Sequence, residues 1–167
     1  MGVTGTPVTL RPPQHLVSRR AILYWSVRAA AGWVLLVAAG IVAVVMVPDP
    51  PGWLPWAVAA VALAAVVHVV VMPQWRYRVH RWEVTPDAVY TQAGWLSQER
   101  RIAPTSRIQT VDTERGPLEQ LFGLAKVTVT TASAAGPLEI HGLDHTTARR
   151  MADELTATTQ ATPGDAT

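Results

Sequence analysis

The side chains able to do chemistry in this chain are five histidines, fourteen basic residues that are almost all arginine, and twelve acids, with no cysteine. His68 interrupts an otherwise apolar stretch, where a charged form is costly and an ionisable group is a candidate for function. No second charge accompanies it there, so its simplest role is a neutral imidazole bonded to a neighbouring helix. His141 and His145 have the spacing of a metal pair on one helical face, but Gly142 and a change of pattern separate them, and no third ligand is close. No metal and no cofactor are expected. The lack of cysteine removes thiol catalysis and disulfides, and no GxSxG, HExxH, Walker or dinucleotide-binding glycine pattern occurs. The reading is that of a non-enzyme, with no small-molecule substrate identified. What remains is basic. Arg76, Arg78, Arg81, Arg100 and Arg101 would form a collar beneath a bilayer, where each cation near an anionic surface contributes about 1 kcal/mol. Arg107 and Gln109 would offer a polar face to a partner or headgroup, since arginine forms forked bonds to phosphate and carboxylate. The competing reading is structural: Ser106 closes a loop, Arg107 pairs with an acid and Ile108 fills the core.

These residues hang from two apolar runs, Ala29 to Val47 and Trp53 to Met72, broken by Pro48-Asp49-Pro50-Pro51-Gly52. At about 1.5 Å per residue each run reaches roughly 30 Å, the thickness of a bilayer's hydrocarbon core. The spacing predicts a transmembrane hairpin over residues 19–73, with spans at about 29–47 and 53–72. Burying two helices apolar all round in a soluble protein needs a large surrounding core, and the remaining chain is too polar to supply one. Arg11, Arg19, Arg20 and Arg28 precede the first run, Arg76, Arg78 and Arg81 follow the second, and the connector holds no basic residue. The positive-inside rule then puts both termini in the cytoplasm, with two spans crossing the membrane between them. Trp25, Trp53, Trp56 and Trp75 fall near the four expected interfaces.

Residues 1–18, rich in Pro, Thr and Gly, read as a flexible cytoplasmic tail. After Pro73 the pattern becomes extended: Trp75 to Val79 alternates apolar and basic, and the change of parity near His80 and Arg81 predicts a bulge. Thr85-Pro86-Asp87-Ala88 is a turn, and strands follow at Val89–Ala93, Trp95–Ala103, Arg107–Glu114, Leu124–Thr131 and Leu138–Ile140, with a helical turn at Leu118–Phe122. Asp144 caps a last helix whose Ala148, Met151, Ala152 and Leu155 form one apolar stripe. Residues 157–167 read as a disordered end. From residue 73 onward ten basic residues face eleven acids, so the soluble part is nearly neutral and no nucleic-acid partner is expected.

The run Arg101-Ile102-Ala103-Pro104-Thr105-Ser106-Arg107-Ile108-Gln109, followed by Leu121-Phe122-Gly123-Leu124 before the Val127-Thr128-Val129-Thr130 strand, resembles the bacterial PH-like domain of the YdbS type, or membrane-flanked domain. The resemblance covers about Gln74 to Leu155 and implies an α+β membrane protein. Its hairpin would be followed, over residues 74–156, by a PH-like antiparallel sandwich or barrel of about seven strands capped by a C-terminal helix. The residues yield six strands, so the seventh is expected near Arg107–Arg115 or Ile140. The resemblance implies no established catalytic activity. PH domains that bind inositol phosphates carry basic residues around their first hairpin, whereas the turn here is short and holds Asp87, which disfavours that ligand. The primary expectation is a membrane-anchored interaction or scaffold module whose partners are the bilayer and another membrane protein or a second copy. The alternative is an anionic-lipid sensor using the Arg collar, and a more distant one is a hydrolase or transporter accessory using His68 or the His141 and His145 pair.

Overall fold

A computed structural model describes residues 12–95, 97–133 and 136–161. Two long helices, α1 (Arg20–Met46) and α2 (Leu54–Val79), pack antiparallel. Ser26 meets Val69, Trp33 meets His68 and Gly40 meets Val58. Gly40 lets the helices approach, because a Cβ there would lie 2.9 Å from the Val58 side chain. Elsewhere both helices expose large apolar residues such as Leu35, Val42, Leu63 and Val66, as a lipid-facing pair must.

Pro73 does not end α2, contrary to the sequence expectation. Proline removes the N–H that would bond the Val69 carbonyl, and the Ser26 hydroxyl of α1 donates to that carbonyl instead at 3.4 Å. Trp75 to Val79 is therefore helical rather than extended. The parity change near Arg81 is not a bulge but the helix end, where the His80 backbone N–H and ring Nδ1–H both donate to the Arg76 carbonyl at 2.9 Å. At the same end of the hairpin, α1 begins well before its apolar run. The two helices thus project beyond the apolar band on the same side.

The domain they enter is built from two antiparallel sheets. The first has the order β1 (His15–Leu16), β2 (Arg81–Val84), β3 (Ala88–Gly94), β4 (Gln98–Pro104), and the second β5 (Ile108–Glu114), β6 (Leu124–Thr131), β7 (Leu138–Asp144). A short helix, α3 (Pro117–Leu121), joins β5 to β6, and α4 (His145–Ala161) follows β7. Asp144 Oδ1 accepts the Thr146 N–H at 3.1 Å, and α4 buries Ala148, Met151 and Leu155. These seven strands and closing helix match the expected α+β membrane architecture.

The seventh strand is β1, ahead of the hairpin and not where the sequence reading sought it. His15 pairs with Trp82 and Leu16 with Arg81, Val17 is buried, and the Ser18 N–H donates to the Gly142 carbonyl at 2.9 Å. Residues 12–18 are thus part of the domain rather than a tail, while residues 1–11 of the expected tail lie outside the described residues. Likewise the helix runs on to Ala161 where a disordered end from residue 157 was expected; residues 162–167 lie outside the described residues.

The core takes Val89, Leu124, Val127, Val129, Ile140, Leu143 and Leu155 from the sheets and α4, and Ala21, Tyr24 and Trp25 from α1. Trp25, expected at a membrane interface, is 3% exposed inside this core. Gly142 makes the docking possible. Its φ of +76° suits glycine, and a Cβ there would stand 2.9 Å from that of Ala21. The β6–β7 register slips at this point, between Ala125 and Val127, so β7 carries a bulge where α1 crosses it.

Candidate functional site at the hairpin–domain junction

Trp25 is the centre of the junction. The Arg76 guanidinium lies 4.6 Å from its ring centroid and the His80 ring 5.1 Å away, so one indole joins α1 to the end of α2. His80 is 4% exposed, and burial, then the nearby Arg76 charge, push its imidazole down to about 4. It is neutral at ordinary pH. His141, on the β7 bulge, bonds Glu139 through Nε2 at 3.0 Å. Burial lowers the His141 pKa although Glu139 opposes this. Glu139 is itself held below the usual carboxylate range, because Lys126 and His141 together outweigh its desolvation. Lys126 bridges Glu139 at 3.4 Å and Glu114 at 2.8 Å, an ion-pair ladder across the second sheet.

Above this cluster the Trp33 Nε1–H of α1 donates to His68 Nδ1 at 2.8 Å. His68 is thus bonded to the partner helix, as its isolation in the sequence predicts. The Trp95 ring, in the β3–β4 connection, packs edge-on against His68 with centroids 5.3 Å apart, and Trp75 Nε1–H donates to the Trp95 carbonyl at 3.1 Å. Between α2, the β3–β4 connection and β7 lies a cavity of about 530 Å³, walled by His68, Met72, Arg76, His80, Trp95 and His141, with Glu99 at its edge. Of the histidine nitrogens here, His80 Nδ1 and His141 Nε2 are bonded to protein oxygens.

The arginines of the expected collar are not gathered into one ring. Arg76 packs on Trp25 and lines the cavity. Arg78 is exposed on α2, Arg81 is half-buried on β2, and Arg100 is exposed on β4. Arg81 and Arg100 both stand opposite Gln92 of β3. Arg101 instead staples β4 to the β6–β7 turn, donating to the carbonyls of Pro137 and Gly136 and pairing with Glu99 at 3.5 Å. Arg107 ends the 3-10 turn Thr105–Arg107 that carries the chain from the first sheet to the second. That turn is fixed by Thr105, whose N–H and hydroxyl donate to the carbonyls of Asp87 and Pro86, both at 2.9 Å. Ile108 packs on the core, and Gln109 is the extra residue of a bulge between Ile108 and Thr110. The densest motif of the sequence is therefore the crossover between sheets, with Arg107 and Gln109 exposed on its outer side.

His141 and His145 do not form a pair on one face: the first belongs to a strand and the second starts α4. Among the described residues no group of three or more His, Cys, Asp or Glu side chains is placed to hold a metal ion. Trp25, Trp33, His80 and Trp95 are the junction residues that sequence reasoning missed. Trp25 was visible as an aromatic residue flanking the first apolar run, but its type carries no information on whether it turns inward, and nothing local marks Trp33, His80 or Trp95 as belonging to the junction.

Comparison with known proteins supports this architecture. A family model described as bacterial PH domain matches residues 29–159, most of the chain and including most of both long helices. The UPF0699 transmembrane protein YdbS of Bacillus subtilis (strain 168) is 33% identical over 116 residues, covering 69% of this chain and 72% of that protein. No solved structure matches. With the apolar hairpin, the two antiparallel sheets and the closing helix in place, the chain belongs to the bacterial PH domain family.

Proposed function

We propose that this protein is a non-enzymatic interaction or scaffold module, held by its hairpin at the cytoplasmic face of a bacterial inner membrane with both termini in the cytoplasm. The observation that carries this reading is the open edge of the second sheet. β5 pairs with β6 on one side, and no other described strand pairs with it. Its Gln109, Thr110, Asp112, Thr113 and Glu114 are exposed. An unpaired strand offers a row of backbone donors and acceptors, and adding a partner's strand is a general mode of recognition. Because α1 and α2 enter the domain core directly, a partner bound at β5 would be held at a fixed height and orientation over the membrane. The partner would be another membrane protein or a second copy.

The test is site-directed photocrosslinking of the full chain in native membranes. A photoreactive residue at Thr113 should give a discrete protein adduct, identified by mass spectrometry as one partner or as a second copy. The same residue at Arg149, exposed on α4, should not give that adduct. Equal adducts from both positions, or adducts to lipid alone, would sink the interaction reading.

A further inference from the structure

We propose that the β3–β4 tip, at Gly94, Trp95 and Ser97, inserts into the interfacial zone of the bilayer that the hairpin spans, so that the domain has a third membrane attachment besides its two helices. The argument begins with height. Trp95 packs on His68, and His68 lies four residues before Met72, where the apolar run of α2 ends. At about 1.5 Å per residue, the tip therefore sits roughly 6 Å on the bilayer side of that end. Measured from the far end, His68 is fourteen residues past Leu54, or about 21 Å along an axis whose apolar surroundings are about 30 Å thick. A side chain resting on His68 stands beside lipid, not below it.

The chemistry of the tip suits that height. The sequence carries no charge from residue 94 to residue 97, and Trp95 and Trp75 are both exposed to the surroundings of the protein, at 37% and 48%. Two neighbouring exposed indoles are unfavourable in water and favourable at the headgroup level, where an amphipathic ring finds both environments. A loop entering a membrane must also dispose of its backbone polar groups. The Trp95 carbonyl does so by accepting the Trp75 indole N–H, and at the base of the tip Gly94 is paired with Gln98 across the β3–β4 ladder. Charge returns only beyond the tip, at Glu99, Arg100 and Arg101 on β4, where exposed Arg100 can reach anionic headgroups. The surface occupied is continuous with the apolar surface of α2, which makes lipid the occupant rather than a separate protein.

The absence of cysteine makes the measurement direct. Full-length Ser97→Cys protein carries an environment-sensitive fluorophore and is reconstituted into phosphatidylcholine and phosphatidylglycerol vesicles containing lipids with nitroxides at the headgroup or along the acyl chain. Thr113→Cys, exposed on β5, serves as the reference. The Ser97 label should be quenched several-fold more than the Thr113 label, most strongly by a nitroxide near the top of the acyl chain. Trp95→Ser should reduce that quenching several-fold while leaving the Thr113 signal and the thermal unfolding midpoint little changed. Equal quenching at both positions would overturn the proposal. So would a Ser97 label that is shielded from water yet insensitive to lipid nitroxides, since protein would then cover the tip.

Discussion

His80 shows how one side chain couples the helix end, the core and pH. Its neutral ring donates Nδ1–H to the Arg76 carbonyl and packs on Trp25, while Arg76 and His141 lie close enough to repel a positive imidazolium. The folded value is pushed from 6.5 down to about 4, so the unfolded chain binds the proton more readily. Stability is therefore retained above pH 6.5 and is lost progressively as pH falls toward 4. Glu139 and Asp144, both depressed by their partners, add a loss that begins lower, as pH falls through the usual carboxylate range. The unfolding midpoint of the detergent-solubilised protein should drop between pH 6.5 and 4, and His80→Gln should flatten that part of the profile even if it lowers the midpoint overall. An unchanged slope in the variant would mean that other groups carry the dependence.

At the scale of elements, the Pro73 turn of α2 depends on α1. Proline frees the Val69 carbonyl and Ser26 takes it up, so the two positions should be coupled. Ser26→Ala should cost about 1 kcal/mol in the natural background, as for a typical buried hydrogen bond. It should cost much less in a Pro73→Ala background, where the substituted residue supplies its own N–H to the Val69 carbonyl. Additive effects in a thermal-unfolding double-mutant cycle would show that Ser26 acts elsewhere. The same contact explains what was legible in the sequence. The two spans could be read because their apolar length is a local property. Strands β3 to β7 and the stripe of Ala148, Met151 and Leu155 could be read because their periodicity is local too. The continuation of α2 was hidden, because a proline's cost is relieved by a serine forty-seven positions earlier in the chain. β1 was hidden likewise: two residues have no period, and His15 and Leu16 become a strand only against Trp82 and Arg81. Of the candidate site, His68 was evident as a polar residue in an apolar run. The inward turn of Trp25 depends on Gly142, which reads in the sequence as a break between strand and helix.

For the whole molecule, the consequence is that the membrane hairpin and the PH-like domain are one folding unit. Val17, Ala21, Tyr24 and Trp25 precede the first apolar run, yet they sit at 9% exposure or less among the sheet residues. Fully burying a large side chain stabilises by about 1.5–3 kcal/mol, so Val17, Tyr24 and Trp25 together contribute on the order of 5–8 kcal/mol. That is comparable with the entire stability of a small domain, about 5–15 kcal/mol. Removing them would also leave Leu143 and the Gly142 bulge uncovered and take away β1, exposing the outer edge of β2. A fragment of residues 74–161, the 74–156 domain that the sequence alone delimits extended to the end of α4, should therefore fail to fold cooperatively. It should bind a hydrophobic dye and show broad amide NMR lines. A fusion that joins residues 12–28 by a flexible linker to residues 74–161, omitting the apolar spans, should recover a sharp unfolding transition, because α1 would then supply its buried turn without the membrane segment. If the shorter fragment folds as sharply as the fusion, the first helix is only packed against a finished domain. If neither folds while the full chain does, the spans themselves hold α1 and α2 in register, and the junction forms only when both helices are already paired in the bilayer.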